Sequence, residues 1–375
     1  MASTFSHESM VRLAMEQAQQ ATRLSDPNPR VGCVITSPSG EVFGLGHTQR
    51  VGEAHAEVMA LRDAAAKGRD VRGATAFVTL EPCAHHGRTP PCCDALIEAG
   101  IARAVVVQQD PNALVAGKGL ARMRAAGIDV EVLPPEHPSA VAVRELNIGF
   151  FSRMVRQTPW VRMKIAASLD GVTALPNGQS QWITSPEARA DGHSWRARAS
   201  AVLTGIGTLL EDNPQLDVRL VETARQPSRV IVDSQLQTPT TARIFDAGGP
   251  VWIYTAMDDP TRSAALRARG ATVTCLPDPN GKVDLRAMMK DLARREVNEL
   301  HIEAGSKLNG SLIRAKLVDE FLIYLAPTLL GTGAGMAAWG PLQALTEGLA
   351  LEFRSTEAVG QDLRILARVA GKDPF

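Results

Sequence analysis

The sequence predicts a two-domain α/β enzyme, on three observations. The chain has 375 residues, too long for one ordinary domain and enough for two. Segments of strand and helix character alternate along both halves, the pattern of βαβ units and a mostly parallel sheet with helices on both faces. Three of the five cysteines (Cys83, Cys92 and Cys93) crowd into eleven residues. That clustering suggests metal or catalysis in a reducing compartment and argues against a disulfide framework.

In the first half, Met10, Val11, Ala14, Met15 and Ala18 recur at helical spacing, which predicts a helix over about 6–22. The turn formers Ser25-Asp26-Pro27-Asn28-Pro29 follow, then a strand over Val31–Ile35 and its hairpin partner over Glu41–Gly46. Ala54–Lys67 reads as a helix ended near Gly68. A strand (Thr75–Leu80), a polar segment (Glu81–Pro91), a helix (Cys92–Ala99), a strand (Ala104–Gln108), a helix (Leu120–Ala126) and a strand (Ile128–Leu133) come next. Pro134-Pro135-Glu136-His137-Pro138 opens the domain boundary. A helix over Ala140–Leu146 leads across it, giving expected domains 1–147 and 148–375. In the second half, strands are expected at Val161–Ala166, Ala201–Leu203, Arg229–Asp233, Val251–Tyr254, Leu300–Glu303 and Phe321–Leu325.

Composition narrows the function. Apolar residues make up 45% and charged residues 21%, the balance of a soluble globular protein. Lys+Arg 40 against Asp+Glu 40 leaves no bulk charge for nucleic acid or a membrane surface. No window approaches a spanning helix, and Met1–Met10 lacks the basic-then-apolar run of a signal peptide, so a cytoplasmic location is expected.

The chemistry of the first half rests on His55-Ala56-Glu57, Glu81-Pro82-Cys83 and Cys92. A catalytic zinc takes about three protein ligands and keeps the fourth position for water, whose pKa it lowers to about 7. His55, Cys83 and Cys92 supply that set, and Glu57 is the candidate proton shuttle. His55 and Glu57 converge only if His55 stands at a helix start, since residues two apart in a helix interior diverge. Cys92, just after Pro90-Pro91, stands where a helix dipole favours thiolate. The order H-x-E, then P-C and a second cysteine, is the signature of zinc nucleobase deaminases. Here, however, eight residues separate Cys83 from Cys92 where the short motif has two.

That departure points to a narrower family. Thr79-Leu80-Glu81-Pro82-Cys83-Ala84-His85-His86-Gly87-Arg88-Thr89-Pro90-Pro91-Cys92-Cys93 closely resembles the bifunctional riboflavin-biosynthesis deaminase/reductase, and Pro27–Gly32 and His55–Glu57 agree with it. The resemblance implies an N-terminal cytidine-deaminase-like three-layer α/β domain that hydrolyses the ring amino group of a diaminopyrimidinone ribosylamine phosphate. It implies zinc (Zn2+) at His55, Cys83 and Cys92 with Glu57 as shuttle; a swap of Cys93 for Cys92 stays open. Asn28 is a candidate contact to the substrate ring or ribose, and His86 and Arg88 to its phosphate.

The second half has no G-x-G-x-x-G dinucleotide fingerprint. Two glycine-bearing segments follow expected strands, Thr204–Thr208 and Glu303–Ser311, and such turns let backbone N–H groups meet phosphates. Lys164–Gly171, Ser180–Ser185, Val232–Ser234, Asp212–Arg219 and Glu303–Gly305 resemble the same family's reductase domain, which is similar to dihydrofolate reductase in fold and uses NADPH. By that resemblance the cofactor contacts Ala166, Trp182, Thr208, Asp212, Ser234 and the loop Gly305, Ser306, Lys307, Leu308, Asn309, Gly310 and Ser311. The substrate contacts Ser180, Arg196, Leu216, Arg219 and Glu303. Guanidinium forks at Arg196 and Arg219 suit a ribose phosphate. Lys164 and Glu303 are candidates to assist ring opening before hydride transfer.

The expectation is therefore zinc-dependent deamination of a small phosphorylated pyrimidine followed by NADPH-dependent reduction of its ribosyl group. No nucleic-acid or membrane partner is expected, and a homo-oligomer is left open. The competing readings are a nucleoside or tRNA-base deaminase fused to another α/β domain, and a structural zinc protein closed by a fourth ligand from His85, His86 or Cys93.

Overall fold

The computed structural model describes residues 7–87, 89–112, 115–372 and 375. The chain divides into two compact units, the first running to Arg156 and the second starting at Gln157.

The first unit comprises α1 (His7–Gln20), β1 (Gly32–Thr36), β2 (Val42–His47), α2 (Ala56–Ala66), β3 (Thr75–Val78), α3 (Cys92–Glu98), β4 (Arg103–Val106), α4 (Lys118–Ala125), β5 (Asp129–Val132), α5 (Pro138–Leu146) and α6 (Ile148–Arg156). Its sheet has the order β2-β1-β3-β4-β5. Strands β3, β4 and β5 are parallel, while β1 is antiparallel to both β2 and β3. The period-2 alternation of the strands makes three layers. Cys33, Ile35, Ala76, Val78, Ala104 and Val106 face a core shared with Ala56 and Ala60 of α2 and Cys93 and Leu96 of α3. Val34, Phe77 and Val105 face the other core, with Met10, Val11 and Ala14 of α1 and Ala140 and Val143 of α5. The division falls after α6 instead of at 147/148, because Phe150 and Phe151 are buried in the first unit's core.

The second unit comprises β6 (Trp160–Ser168), β7 (Val172–Ala174), α7 (Pro186–Arg198), β8 (Ala201–Gly205), α8 (Ile206–Asp212), β9 (Ser228–Val232), β10 (Val251–Thr255), α9 (Pro260–Ala268), β11 (Ala271–Cys275), α10 (Leu285–Arg294), β12 (Glu299–Ile302), α11 (Ser306–Arg314), β13 (Glu320–Ala326), β14 (Ala334–Gly335), β15 (Leu351–Val359) and β16 (Asp362–Val369). Nine strands form one sheet in the order β11-β10-β9-β8-β12-β6-β13-β16-β15. It is parallel from β11 to β13 and antiparallel through β16 and β15. Helix α7 covers a polar face of this sheet. There Arg162 of β6 bridges Glu299 (2.8 Å) and Glu320 (2.5 Å), all three fully buried, and stacks on Trp195 of α7 with 4.5 Å to the ring centroid. Register pairs His301 with Arg162, so by alternation Lys164 and Glu303 lie on the same face, one step nearer the strands' C-terminal ends.

Candidate functional site

The first site is built where α2 and α3 begin. Glycines on β2 let α2 come close: a Cβ at Gly46 would lie 2.3 Å from the Ala56 carbonyl and 2.4 Å from the Ala60 nitrogen. His55 is the N-cap of α2 in extended conformation (φ −79, ψ 171), with Glu57 in the first turn. Cys92 is the first residue of α3, and its backbone N–H donates to Cys83 Sγ at 3.3 Å. His55 Nδ1 lies 3.7 Å from Cys83 Sγ and 3.3 Å from Cys92 Sγ. Tetrahedral donors at ordinary Zn–N and Zn–S lengths lie about 3.5–3.8 Å apart, so the spacing fits one zinc ion.

The electrostatics agree. A hydrogen bond from the Cys92 thiol is the main influence pulling the Cys83 thiol down to about 4, with His55 and the Cys92 N–H adding to it against burial. Cys92 is pushed well above its ordinary range by the same contact and by burial. Two sulfurs this close share one charge unless a cation sits among them. Glu57 is buried, and its carboxyl is pushed up to about 7 by burial first and by Cys83 second, with His55 opposing. Among the described residues this cluster has three donors. Cys93 points into the core instead, with its thiol 3.6 Å from Asp94 Oδ1.

Asn28 sits in a turn closed by its N–H to the Ser25 carbonyl at 2.8 Å, and His86 is exposed. Arg88 lies outside the described residues. Glu81, read from the sequence only as a neighbour of Cys83, and Asp110, not singled out there, are both buried carboxyls. Glu81 accepts backbone N–H groups from Asp110 (3.4 Å), Gly117 (3.0 Å), Gly119 (3.0 Å) and Leu120 (3.4 Å), tying the segment before Cys83 to the start of α4. Asp110 is pushed up to about 7, chiefly by burial. The signal for it was the turn Asp110-Pro111-Asn112 after a strand.

The second site lies at the C-terminal ends of the parallel strands, where open α/β sheets bind ligands. The adjacent strands β8 and β12 each run through a glycine into a helix. A Cβ at Gly205 would lie 3.1 Å from Leu308 Cδ2, and one at Gly305 3.7 Å from Thr208 Oγ1, so the two helix starts are side by side. Thr204 Oγ1 and Asp233 Oδ1 are buried there without hydrogen-bond partners. Helix N-termini and unsatisfied polar atoms fit the phosphates and hydroxyls of a dinucleotide. The stretch Gly305–Ser311, expected as a loop, is the first part of α11, with Gly305 as its N-cap. Ser306, Lys307 and Leu308 present free helical N–H groups, whereas Asn309 bonds the Met336 carbonyl (3.0 Å) and a Cβ at Gly310 would meet the Ala338 carbonyl at 2.1 Å. Ser311 Oγ bonds back to the Lys307 carbonyl.

Trp182 is 66% exposed, with Arg189 stacked 4.6 Å over its ring. Gln181, between Ser180 and Trp182, donates to Asp212 Oδ1 at 3.1 Å and so ties this segment to the end of α8. Ala166 lies on β6 beside Tyr324, and Ser234 Oγ accepts the Val283 N–H at 3.2 Å. Arg196 is less free than its type suggested. Its Nε and Nη2 grip the Glu303 carboxylate, the second contact at 2.8 Å, and its Nη1 donates to the Asp217 carbonyl at 2.9 Å. Buried Leu216 takes a positive φ of 52 in the same turn. Arg219 is half-exposed and held by one contact to Asp217 at 2.5 Å. Burial first, and then Arg196, lowers the Lys164 ammonium, while Glu303 opposes them.

A cytidine-deaminase-like domain carrying a His/Cys/Cys cluster, followed by a dihydrofolate-reductase-like domain, defines a zinc-dependent deaminase joined to an NADPH-dependent reductase. Family models agree: residues 5–108 match the cytidine and deoxycytidylate deaminase zinc-binding region, and residues 159–365 match the RibD C-terminal domain. The chain is 44% identical over 366 residues to the riboflavin biosynthesis protein RibD of Escherichia coli, covering 93% of this chain and 96% of that one. It is 37% identical over 355 residues to RibD of Aquifex aeolicus (95% and 96%). Acinetobacter baumannii RibD has a similar structure, with TM-score 0.86, 36% identity and coverage of 96% and 98%. So does the diaminohydroxyphosphoribosylaminopyrimidine deaminase/5-amino-6-(5-phosphoribosylamino)uracil reductase of Thermotoga maritima (TM-score 0.84, 31%, 97% and 98%). The chain belongs to the RibD family. It is a bifunctional deaminase and reductase of riboflavin biosynthesis acting on a small phosphorylated pyrimidine. No helix of the described residues is long and apolar enough to cross a membrane.

Proposed function

We propose that the first unit deaminates 2,5-diamino-6-(5-phosphoribosylamino)pyrimidin-4-one and that the second then reduces the ribosyl group of the product to ribityl. The observation that carries the first step is the convergence of His55, Cys83 and Cys92, all within 4.8 Å, beside a buried carboxyl. In this reading those three residues hold zinc, which when bound acidifies a water molecule to a pKa of about 7. Glu57 takes a proton at its carboxylate and returns it to the leaving amino group, a task suited to a carboxyl held near neutrality (about 7). Asn28, His86 and Arg88 serve the substrate's ring and phosphate.

In the second unit, the first turn of α8, which carries Thr208, and the start of α11 at Gly305–Leu308 hold the cofactor phosphates, with Ala166, Trp182, Asp212 and Ser234 along the same edge; bound NADPH supplies hydride. Asn309, Gly310 and Ser311 support that helix start from behind. Ser180, Leu216, Arg219 and the Arg196–Glu303 pair line the substrate side. Ring opening at C1′ needs a proton donor. Glu303 is held ionised, well below the usual carboxylate range, largely by Arg196, which leaves Lys164 as the residue to donate. Lys164→Ala should slow reduction at least 100-fold, the low end of positioned acid–base catalysis; a rate within threefold would remove Lys164 from the mechanism. Thiolate ligands favour a reducing compartment, consistent with the cytoplasm.

The test is to give zinc-loaded protein the diaminopyrimidinone substrate with and without NADPH. Ammonia release without NADPH, and cofactor oxidation only after deamination, support the reading. Cofactor oxidation that precedes ammonia release would reverse the order.

A further inference from the structure

The geometry points to His193 as a third reader of the substrate's phosphate in the reductase unit, donating through Nε2–H beside Arg219. This rests on the reading that the second unit binds a phosphorylated ribosylamine.

Helix α7 places His193 and Arg196 three residues apart, on one face of the helix. The His193 ring is buried, and its Nδ1 lies 3.1 Å from the backbone nitrogen of Arg219. A backbone nitrogen only donates, so Nδ1 accepts and carries no proton. In the neutral ring the proton is then on Nε2. Burial first, then Arg196 and Arg219, hold the ring neutral by pushing it down to about 4, against Glu303 and Asp217.

That tautomer has a consequence. Nε2 lies 3.5 Å from Arg196 Nη1, and a guanidinium nitrogen is also only a donor. Two N–H groups therefore face one another, and Arg196 Nη1 already donates to the Asp217 carbonyl. A buried N–H without an acceptor is costly, so this corner is built for an acceptor brought by a ligand. The half-exposed Arg219 guanidinium, near enough for its charge to be felt by the ring, has a single ion pair to Asp217. Arg196, spent on Glu303, contributes charge more than free N–H groups. A phosphate monoester, whose several oxygens can each accept, matches this set of donors.

The test compares His193→Asn, which keeps an oxygen to accept the Arg219 N–H but does not reach the Nε2 position, with His193→Gln, which reaches it with an amide N–H. KM is measured for 5-amino-6-(5-phosphoribosylamino)uracil, and binding of ribose 5-phosphate and of NADPH by calorimetry. We expect His193→Asn to weaken ribose 5-phosphate binding and raise KM about ten- to a hundredfold, as for a hydrogen bond to a charged group. Most of that loss falls on KM, and His193→Gln recovers most of it. NADPH affinity and Tm should stay near wild type in both variants. Unchanged ribose 5-phosphate binding in His193→Asn overturns the proposal, as does a parallel loss of NADPH affinity and Tm, which would make His193 a packing residue. A wild-type protein that reduces the dephosphorylated ribosylamine equally well overturns the reading of the whole domain, and this proposal with it.

Discussion

Replacing Glu81 by glutamine tests how the deaminase loop is held. Each carboxylate oxygen receives two backbone N–H groups: Oε2 from Asp110 (3.4 Å) and Gly117 (3.0 Å), Oε1 from Gly119 (3.0 Å) and Leu120 (3.4 Å). Glutamine keeps an acceptor for one pair and turns an NH2 toward the other. A hydrogen bond to a charged group contributes about 1.5–3 kcal/mol. Losing one short bond, weakening one long one and neutralising the acceptor of the rest comes to about 3–4 kcal/mol. At about 2–4 °C per kcal/mol for a unit of this size, the transition of the first unit should fall by roughly 6–15 °C in scanning calorimetry. Because Cys83 lies two residues on, zinc should also be surrendered to a competing chelator about tenfold more readily. A transition within 2 °C of wild type would refute the argument.

Two further predictions concern the same unit. Gly46→Ala drives a methyl group into the Ala56 carbonyl, 2.3 Å away, so α2 must shift; we expect a loss of about 1–3 kcal/mol and weaker zinc retention, and a variant with wild-type Tm and zinc affinity would argue against close packing of α2 on β2. Asp110 has its carboxyl raised from 3.8 to about 7 by burial, so its favourable contribution is complete below about pH 4 and is lost as pH rises through about 7. Asp110→Asn, which can still accept the Asn112 N–H, should therefore gain Tm relative to wild type between pH 5 and pH 8; a pH-independent difference would contradict this.

Much of the molecule was legible because its signals are local. The apolar runs at β1, β3, β4, β8 and β9 and the amphipathic pattern of α1 announce themselves. The first cluster was legible because a histidine and two cysteines stand where a helix start, a strand end and a second helix start must meet. Strand β15 was not: it is exposed along nearly its whole length, and its polar run Ser355-Thr356-Glu357 breaks the alternation begun by Leu351-Glu352-Phe353-Arg354. The Ser306–Ser311 stretch reads as a loop by composition, yet Leu312 and Ile313 anchor it in the core as helix, and Gly310 lets it press on Ala338. Helix α6 was missed, with the boundary, because nothing local says which core Phe150 and Phe151 enter. The grip of Arg196 on Glu303 joins residues 107 positions apart, and the four N–H groups on Glu81 come from distant turns. No spacing rule announces either.

The most direct test of the account is the zinc content and ammonia release of Glu57→Gln, measured on one preparation. If His55, Cys83 and Cys92 hold the metal while Glu57 only moves protons, zinc stays at about one per chain and ammonia release disappears. Loss of the metal with the carboxylate, or continued deamination by the zinc-loaded variant, would contradict it.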